Sequence, residues 1–258
     1  MSEKIIRINT VAEYVDAVCR EKARLKEMGE RGIRILFRGQ ADCDNELIPS
    51  IGRRTPEGKE LIDEERNMIE MAKYKLPAVF RKDLEPIELL ALLQHHGIPT
   101  RLLDVSENAL VGLYFGCHDF EDTADKDGEV ILFKSNDLEV ANYPVVNTIC
   151  SSYKESTPQI LADDTQLLFV YAPSYSLRQN IQRGRYILFA DSIVDGRKVI
   201  KPISKEHDSV IARIIVPAAV KSMIRSDLRL LGVSRELLFL DNADMVCKEI
   251  TERFSEMR

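Results

Sequence analysis

Residues 89–117, LLALLQHHGIPTRLLDVSENALVGLYFGC, constrain the fold of this chain more than any other stretch. Leu89, Leu90, Leu92 and Leu93 recur at the spacing of a helix face, and Pro86 stands where a first turn tolerates a missing N–H. Gly97 suits the left-handed residue that follows a helix end, and Pro99 forbids continuation. Residues 100–104 are expected to cross a turn, and a second apolar helix is predicted over 108–117. Polar side chains gathered between two buried elements are where sites tend to sit.

The 258 residues are enough to bury a sizeable core, and with no linker-like tract they read as one domain, 1–258. Lys and Arg number 36 against 42 Asp and Glu, a net charge of −6, so nucleic acid would have to be drawn by a local basic patch. Cys19, Cys43, Cys117, Cys150 and Cys247 are scattered singly with no CxxC pair, which suits a reduced cytoplasmic setting better than a disulfide framework. The first ten residues lack the apolar core of a signal peptide, and no apolar run reaches membrane-spanning length. The expectation is a soluble, cytoplasmic chain with no membrane partner.

Thr10 and Glu13 read as a capping box opening a helix over 10–28, with Val11, Tyr14, Val15 and Val18 on its apolar face. Residues 34–37 read as a buried strand, and 59–75 as a charged helix with Leu61, Met68, Met71 and Ala72 inward. Beyond 128 the pattern turns to strands: 129–134, 167–172, 185–190, 199–203 and 209–216. Residues 135–165 show no period and read as a long loop with short pieces, 178–184 as a polar turn, and helices are expected from Pro217 and from Asp241. Helices crowd the first half and strands the second. That segregation predicts an α+β fold, a helical N-terminal half packed on a mostly antiparallel β core formed largely by the C-terminal half.

Three segments could carry chemistry. Phe37-Arg38-Gly39-Gln40 puts a guanidinium at the end of an apolar strand, a fork for phosphate or carboxylate, beside a glycine that lets a ligand approach; pairing with a structural carboxylate is the plainer role. Thr100, Arg101 and Asp104 supply a hydroxyl, a guanidinium and a carboxylate, to line a pocket or to brace a strained loop. Gln179, Gln182 and Gly184 precede a strand, where amides can reach a ribose hydroxyl and Gly184 clears room. His95 and His96 point about 100° apart on a helix, so they do not form an i, i+4 metal pair, and no metal site is expected.

Taken in order, FRGQ, LIPSIGR at 47–53, the 89–117 block, NIQRGRYILF and the segment at 216–244 resemble the FRG domain family over about 33–250. That family is named for its Phe-Arg-Gly motif, here Phe37-Arg38-Gly39. The layout also resembles that of mono-ADP-ribosyltransferases, which implies an ADP-ribosyltransferase-like fold and NAD as substrate. On that likeness Arg38 holds the diphosphate or ribose, Gln182 contacts a ribose hydroxyl, and Thr100 and Tyr114 flank the nicotinamide. Gly39, Gln40, His96, Arg101 and Gly184 complete the contacts. Gln182 is an amide where those enzymes carry an acid, so Asp104 is the candidate for the missing negative charge. The resemblance implies an effector of toxin or anti-phage type, a protein or nucleic-acid acceptor, and an antitoxin or other partner protein. A metal-dependent nuclease or nucleotide hydrolase, pairing Asp104 with Glu64, Glu65 or Glu88 around Mg²⁺, and a non-catalytic binding or sensing module stay open beside it.

Overall fold

A computed structural model describes residues 5–30, 32–53, 61–118, 123–136, 143–153, 167–172 and 177–239. Its elements in chain order are β1 (Ile5–Arg7), α1 (Val11–Glu27), β2 (Ile33–Gln40), α2 (Glu65–Lys75), α3 (Pro86–His95), β3 (Leu102–Ser106), α4 (Ala109–Gly116), β4 (Gly128–Asn136), α5 (Tyr143–Ser151), β5 (Leu168–Val170), α6 (Leu177–Gln182), β6 (Gly184–Leu188), β7 (Ser192–Val194), β8 (Arg197–Val199), β9 (Val210–Val216), α7 (Lys221–Leu230) and α8 (Arg235–Leu238).

The ends form where side chains satisfy orphan backbone groups. Thr10 accepts from Glu13 N at the start of α1, while the Glu13 carboxylate takes the Asn9 N–H at 2.7 Å. Glu85 and Glu88 form a second capping box on α3, whose first residue is Pro86. Asn108 caps α4, and Gly97 takes a φ of 81° after α3.

The sheet runs β1-β9-β4-β2-β3-β6-β5, with every pairing antiparallel except β1 with β9. The fold is α+β. The C-terminal half supplies β4, β5, β6 and β9, and the N-terminal half contributes β2 and β3 to the middle. The join between those two is narrow. β2 pairs with β4 along its whole length and β3 with β6 along its whole length, but β2 meets β3 only at Phe37 opposite Ser106. Two half-sheets are therefore linked at one point and splay apart beyond it.

Side-chain alternation assigns the faces. Leu36, Leu103, Val105, Ile131, Phe133 and Ile187 share a core on one face with Leu47, Ile51 and Ile62. The other face carries two separate cores. Phe37, Val130 and Leu132 pack under α1, α4 and α7, whereas Leu102, Tyr186 and Leu188 pack under α3 and α5. The gap between these cores lies over the splay.

Several expectations change. Residues 102–106 are a strand rather than a turn, because Leu102, Leu103 and Val105 are apolar on both faces and both faces are covered. The expected loop at 135–165 contains α5, and the polar turn before β6 is the short helix α6. Met71 is 54% exposed while Glu65 is buried, since Glu65 is tied to an arginine. The strand expected at 199–203 shifts to 197–199, paired with β7 across Asp195-Gly196, whose φ values of 51° and 76° are those of a tight hairpin turn. The helix expected from Asp241 lies outside the described residues, as does Cys247. No described helix is long and apolar enough to cross a membrane.

Cys19 is exposed, whereas Cys117 and Cys150 are buried. Burial pushes both thiols up to about 12. Iodoacetamide at pH 8 is expected to alkylate Cys19 and to leave Cys117 and Cys150 unmodified until denaturant is added, as peptide mass mapping would show. A thiol held protonated in the fold but free to ionise near its ordinary value once unfolded stabilises the fold below pH 9. That contribution is lost as pH rises from 9 towards 12, so the thermal midpoint should fall across that window.

Candidate functional site

A cleft of about 310 Å³ opens where β2 and β3 splay, lined by residues from both faces of the sheet. The strand end of β2 supplies Arg38, Gly39 and Gln40; β3 supplies Asp104 and Ser106; Gln179, Gln182, Gly184 and Tyr186 come from α6 and β6. Sites of this kind range over roughly 300–1,000 Å³. The cleft is at the small end.

Arg38 crosses the fork. Its Nη1 donates to the carbonyl of Asp104 at 3.0 Å, a bond that stands where the two strands no longer pair. Among the described residues its Nε is a buried donor with no acceptor. Burial lowers the guanidinium from its ordinary pKa, the nearby Asp104 carboxylate opposes that, and Arg53 adds to it. Two guanidiniums and one exposed carboxylate thus face the same space.

Gln182 is set by its surroundings. It ends α6, its Nε2 donates to the Leu238 carbonyl at 3.0 Å, and its own carbonyl accepts from Ser106 Oγ at 2.5 Å. Arg183 follows with a φ of 45°, a left-handed turn that leads the chain into β6, and its carbonyl accepts from Glu107 N. Gln179 donates to the Tyr186 hydroxyl at 2.6 Å.

Arg38, Asp104, Gln182, Gly39, Gln40 and Gly184 are brought together, although they come from three separate stretches of chain. Their roles differ from the expectation at two of them. A Cβ on Gly39 would lie 2.0 Å from Gly112 O and 2.5 Å from Gly116 N, so this glycine lets α4 rest on β2 rather than clearing room for a ligand. The Gln40 amide is committed to Glu129 Oε1 and to the Asn45 carbonyl, part of a buried group in which Lys205 and Arg213 also hold Glu129. At Gly184, by contrast, an added Cβ meets nothing closer than Gln179 O at 3.8 Å.

Four expected contacts lie elsewhere. Arg101 is fully buried, its Nε and Nη2 on Glu65 at 2.7 and 2.5 Å and its Nη1 on Asp191 at 2.9 Å and Ser152 at 2.7 Å. It is the brace, not the ligand. Thr100 is buried one residue earlier, bonded to Gln94 and to Leu102 N. His96 is exposed at the end of α3, edge-on to Phe80 at 5.7 Å. Tyr114 is buried in the core, and Phe115, the next residue round the helix, lines the cleft with Val111 and Gly112. Tyr114 and Phe115 stand about 100° apart on α4, and both fall within a turn of Val111, so helical spacing alone does not say which of the two faces the cleft. Arg53, Ser106 and Tyr186 were also unassigned; Arg53 ends the LIPSIGR segment, which gave no sign of where its side chain goes.

The family model of the FRG domain matches residues 33–125. The chain carries an FRG domain. The match is narrower than the resemblance over 33–250, and it divides the cleft: Arg38, Arg53 and Asp104 belong to the FRG segment, whereas Gln179, Gln182, Gly184 and Tyr186 follow it. No curated protein and no solved structure matches the chain. The FRG segment also contains α4 and the glycines Gly112 and Gly116 that receive β2.

Proposed function

We propose that the cleft binds NAD and that this FRG-domain chain passes the ADP-ribosyl group to an acceptor. The observation that carries this reading is the buried Arg38 Nε–H without an acceptor, beside a second guanidinium at Arg53. A buried donor left unpaired costs about 1–3 kcal/mol, and a diphosphate oxygen would remove that cost. Arg38 and Arg53 take the diphosphate, Gln182 orients a ribose hydroxyl, and the Asp104 carboxylate faces the ribosyl carbon. As the bond from C1′ to nicotinamide breaks, its electron pair leaves with the now neutral nicotinamide. The carboxylate stabilises the cation left behind. An acceptor lone pair then forms the new bond to C1′, and its proton passes to Asp104 or to water.

In a thermal melt, ADP-ribose at a hundred times its Kd is expected to stabilise the protein by about 2.7 kcal/mol. For a chain of this size that is a rise of roughly 5–10 °C. Arg38→Ala should abolish the rise while still unfolding cooperatively. Incubation with labelled NAD and a cell extract should release nicotinamide and label an acceptor. No shift with ADP-ribose and no release would sink the reading.

The metal-dependent alternative has less support in the geometry. Glu65 is clamped to Arg101, and the group of potential metal ligands found among the described residues is Asp42, Cys43 and Asp44, without Asp104. Activity abolished by EDTA and restored by Mg²⁺ would favour it.

A further inference from the structure

The cleft does not end at Gly184. The same glycine, with Gln179 and Tyr186, lines a second pocket of about 230 Å³ that is walled by Arg183, Arg185 and Glu107. Glu107 in turn lines a groove of about 800 Å³ between α1 and β2, with Lys22, Lys26 and Arg34 at its rim and Ile33 and Ile35 in its floor. Shared residues therefore join three depressions into one track leading away from the cleft.

Its charge runs against the rest of the molecule. The chain as a whole carries −6. Along the track, Arg183, Arg185, Arg34, Lys22 and Lys26 face two carboxylates, Glu107 and Glu30. Glu107 is shared by Arg34 at 2.9 Å and Arg185 at 3.2 Å, so it offsets one of the two. Arg185, which lines the second pocket, also lies over the ring of Tyr171, 4.1 Å from its centroid, and that contact holds its flat cation in place at mid-track.

We infer that this track holds a single strand of nucleic acid. Guanidiniums and ammoniums spaced along a groove meet successive phosphates, while an apolar floor and the guanidinium plane of Arg185 accept unpaired bases. A globally acidic chain repels a polyanion, so a continuous basic path needs a reason, and a polyanionic partner supplies one. As the acceptor of the ribosyl group this strand rests on the proposed NAD reading, whereas its binding does not.

The test is fluorescence anisotropy with labelled twelve-residue oligothymidine and oligouridine between 50 and 200 mM NaCl, with labelled polyglutamate of equal length as the acidic-peptide control. The expected result is binding of one or both oligonucleotides that weakens with salt. Two variants, Lys22→Glu with Lys26→Glu, and Arg183→Glu alone, should each weaken it by tenfold or more. Each lost phosphate contact should lower the log–log salt slope by about 0.7. The thermal shift given by ADP-ribose should be the same in both variants as in the unaltered chain. The inference is overturned if the oligonucleotides do not bind, if both variants keep the original affinity and slope, or if polyglutamate binds as well or better, which would point to an acidic protein partner. Failed oligonucleotide binding with an intact ADP-ribose shift removes the track and leaves the cleft. The converse result removes the NAD reading and leaves the track.

Discussion

Arg101→Ala is expected to lower the unfolding free energy by about 3–5 kcal/mol, the cost of stranding buried charges by removing their partner. Domains of this kind hold only about 5–15 kcal/mol in total, so the variant should be largely insoluble or should unfold at much lower urea. The cause is local. Arg101 is fully buried, and its loss leaves Glu65 and Asp191, also buried, without their guanidinium and Ser152 without a donor. Arg101→Lys should fare only partly better, because one compact ammonium cannot reproduce a two-point contact on Glu65 while reaching Asp191 and Ser152. Urea titration followed by circular dichroism measures both. An Arg101→Ala protein with an unchanged midpoint that fails to bind ADP-ribose would reverse the assignment and return Arg101 to the ligand.

Arg101 also shows where a linear reading stops. A guanidinium and a carboxylate three residues apart, Arg101 and Asp104, look like one unit along the chain. In space the Arg101 partners are 36 and 90 positions away, while the Asp104 carbonyl receives Arg38, 66 positions away. Nothing local encodes those distances. By contrast α1, α3 and α4 were readable, because caps, an N-terminal proline and a left-handed glycine each act within one turn. Of the candidate site, Arg38 at a strand end and Gln182 with Gly184 before a strand were legible for the same reason: each is defined by the element it touches. The swap of Phe115 for Tyr114 turns on 100° of helix rotation, which sequence fixes only when the buried face is known. The β7–β8 hairpin did carry a local signal, Asp195-Gly196, overshadowed by the apolar run just after it.

Two of the cleft glycines, Gly39 and Gly184, should separate the fold from the site. At Gly39 a methyl group would sit 2.0 Å from Gly112 O and 2.8 Å from Phe115 Cβ, so α4 would have to lift off β2. Two backbones must move, not one flexible side chain, so Gly39→Ala should cost more than the roughly 1–3 kcal/mol of ordinary overpacking and yield little folded protein. Gly184 has ordinary φ and open space where its Cβ would go. There a methyl replaces a conformationally free residue within a strand, which favours the fold by about 0.5–1 kcal/mol. The thermal midpoint of Gly184→Ala should therefore stay level or rise by a few degrees. The same methyl enters the space shared by the cleft and the adjoining pocket, so ADP-ribose should bind tenfold or more weaker, a loss of about 1.4 kcal/mol. Differential scanning fluorimetry with and without ADP-ribose reads both effects in one experiment. If Gly184→Ala folds and binds as tightly as the unaltered chain, the ligand does not occupy the space beside Gly184, and the placement of Gln182 against the ribose fails with it.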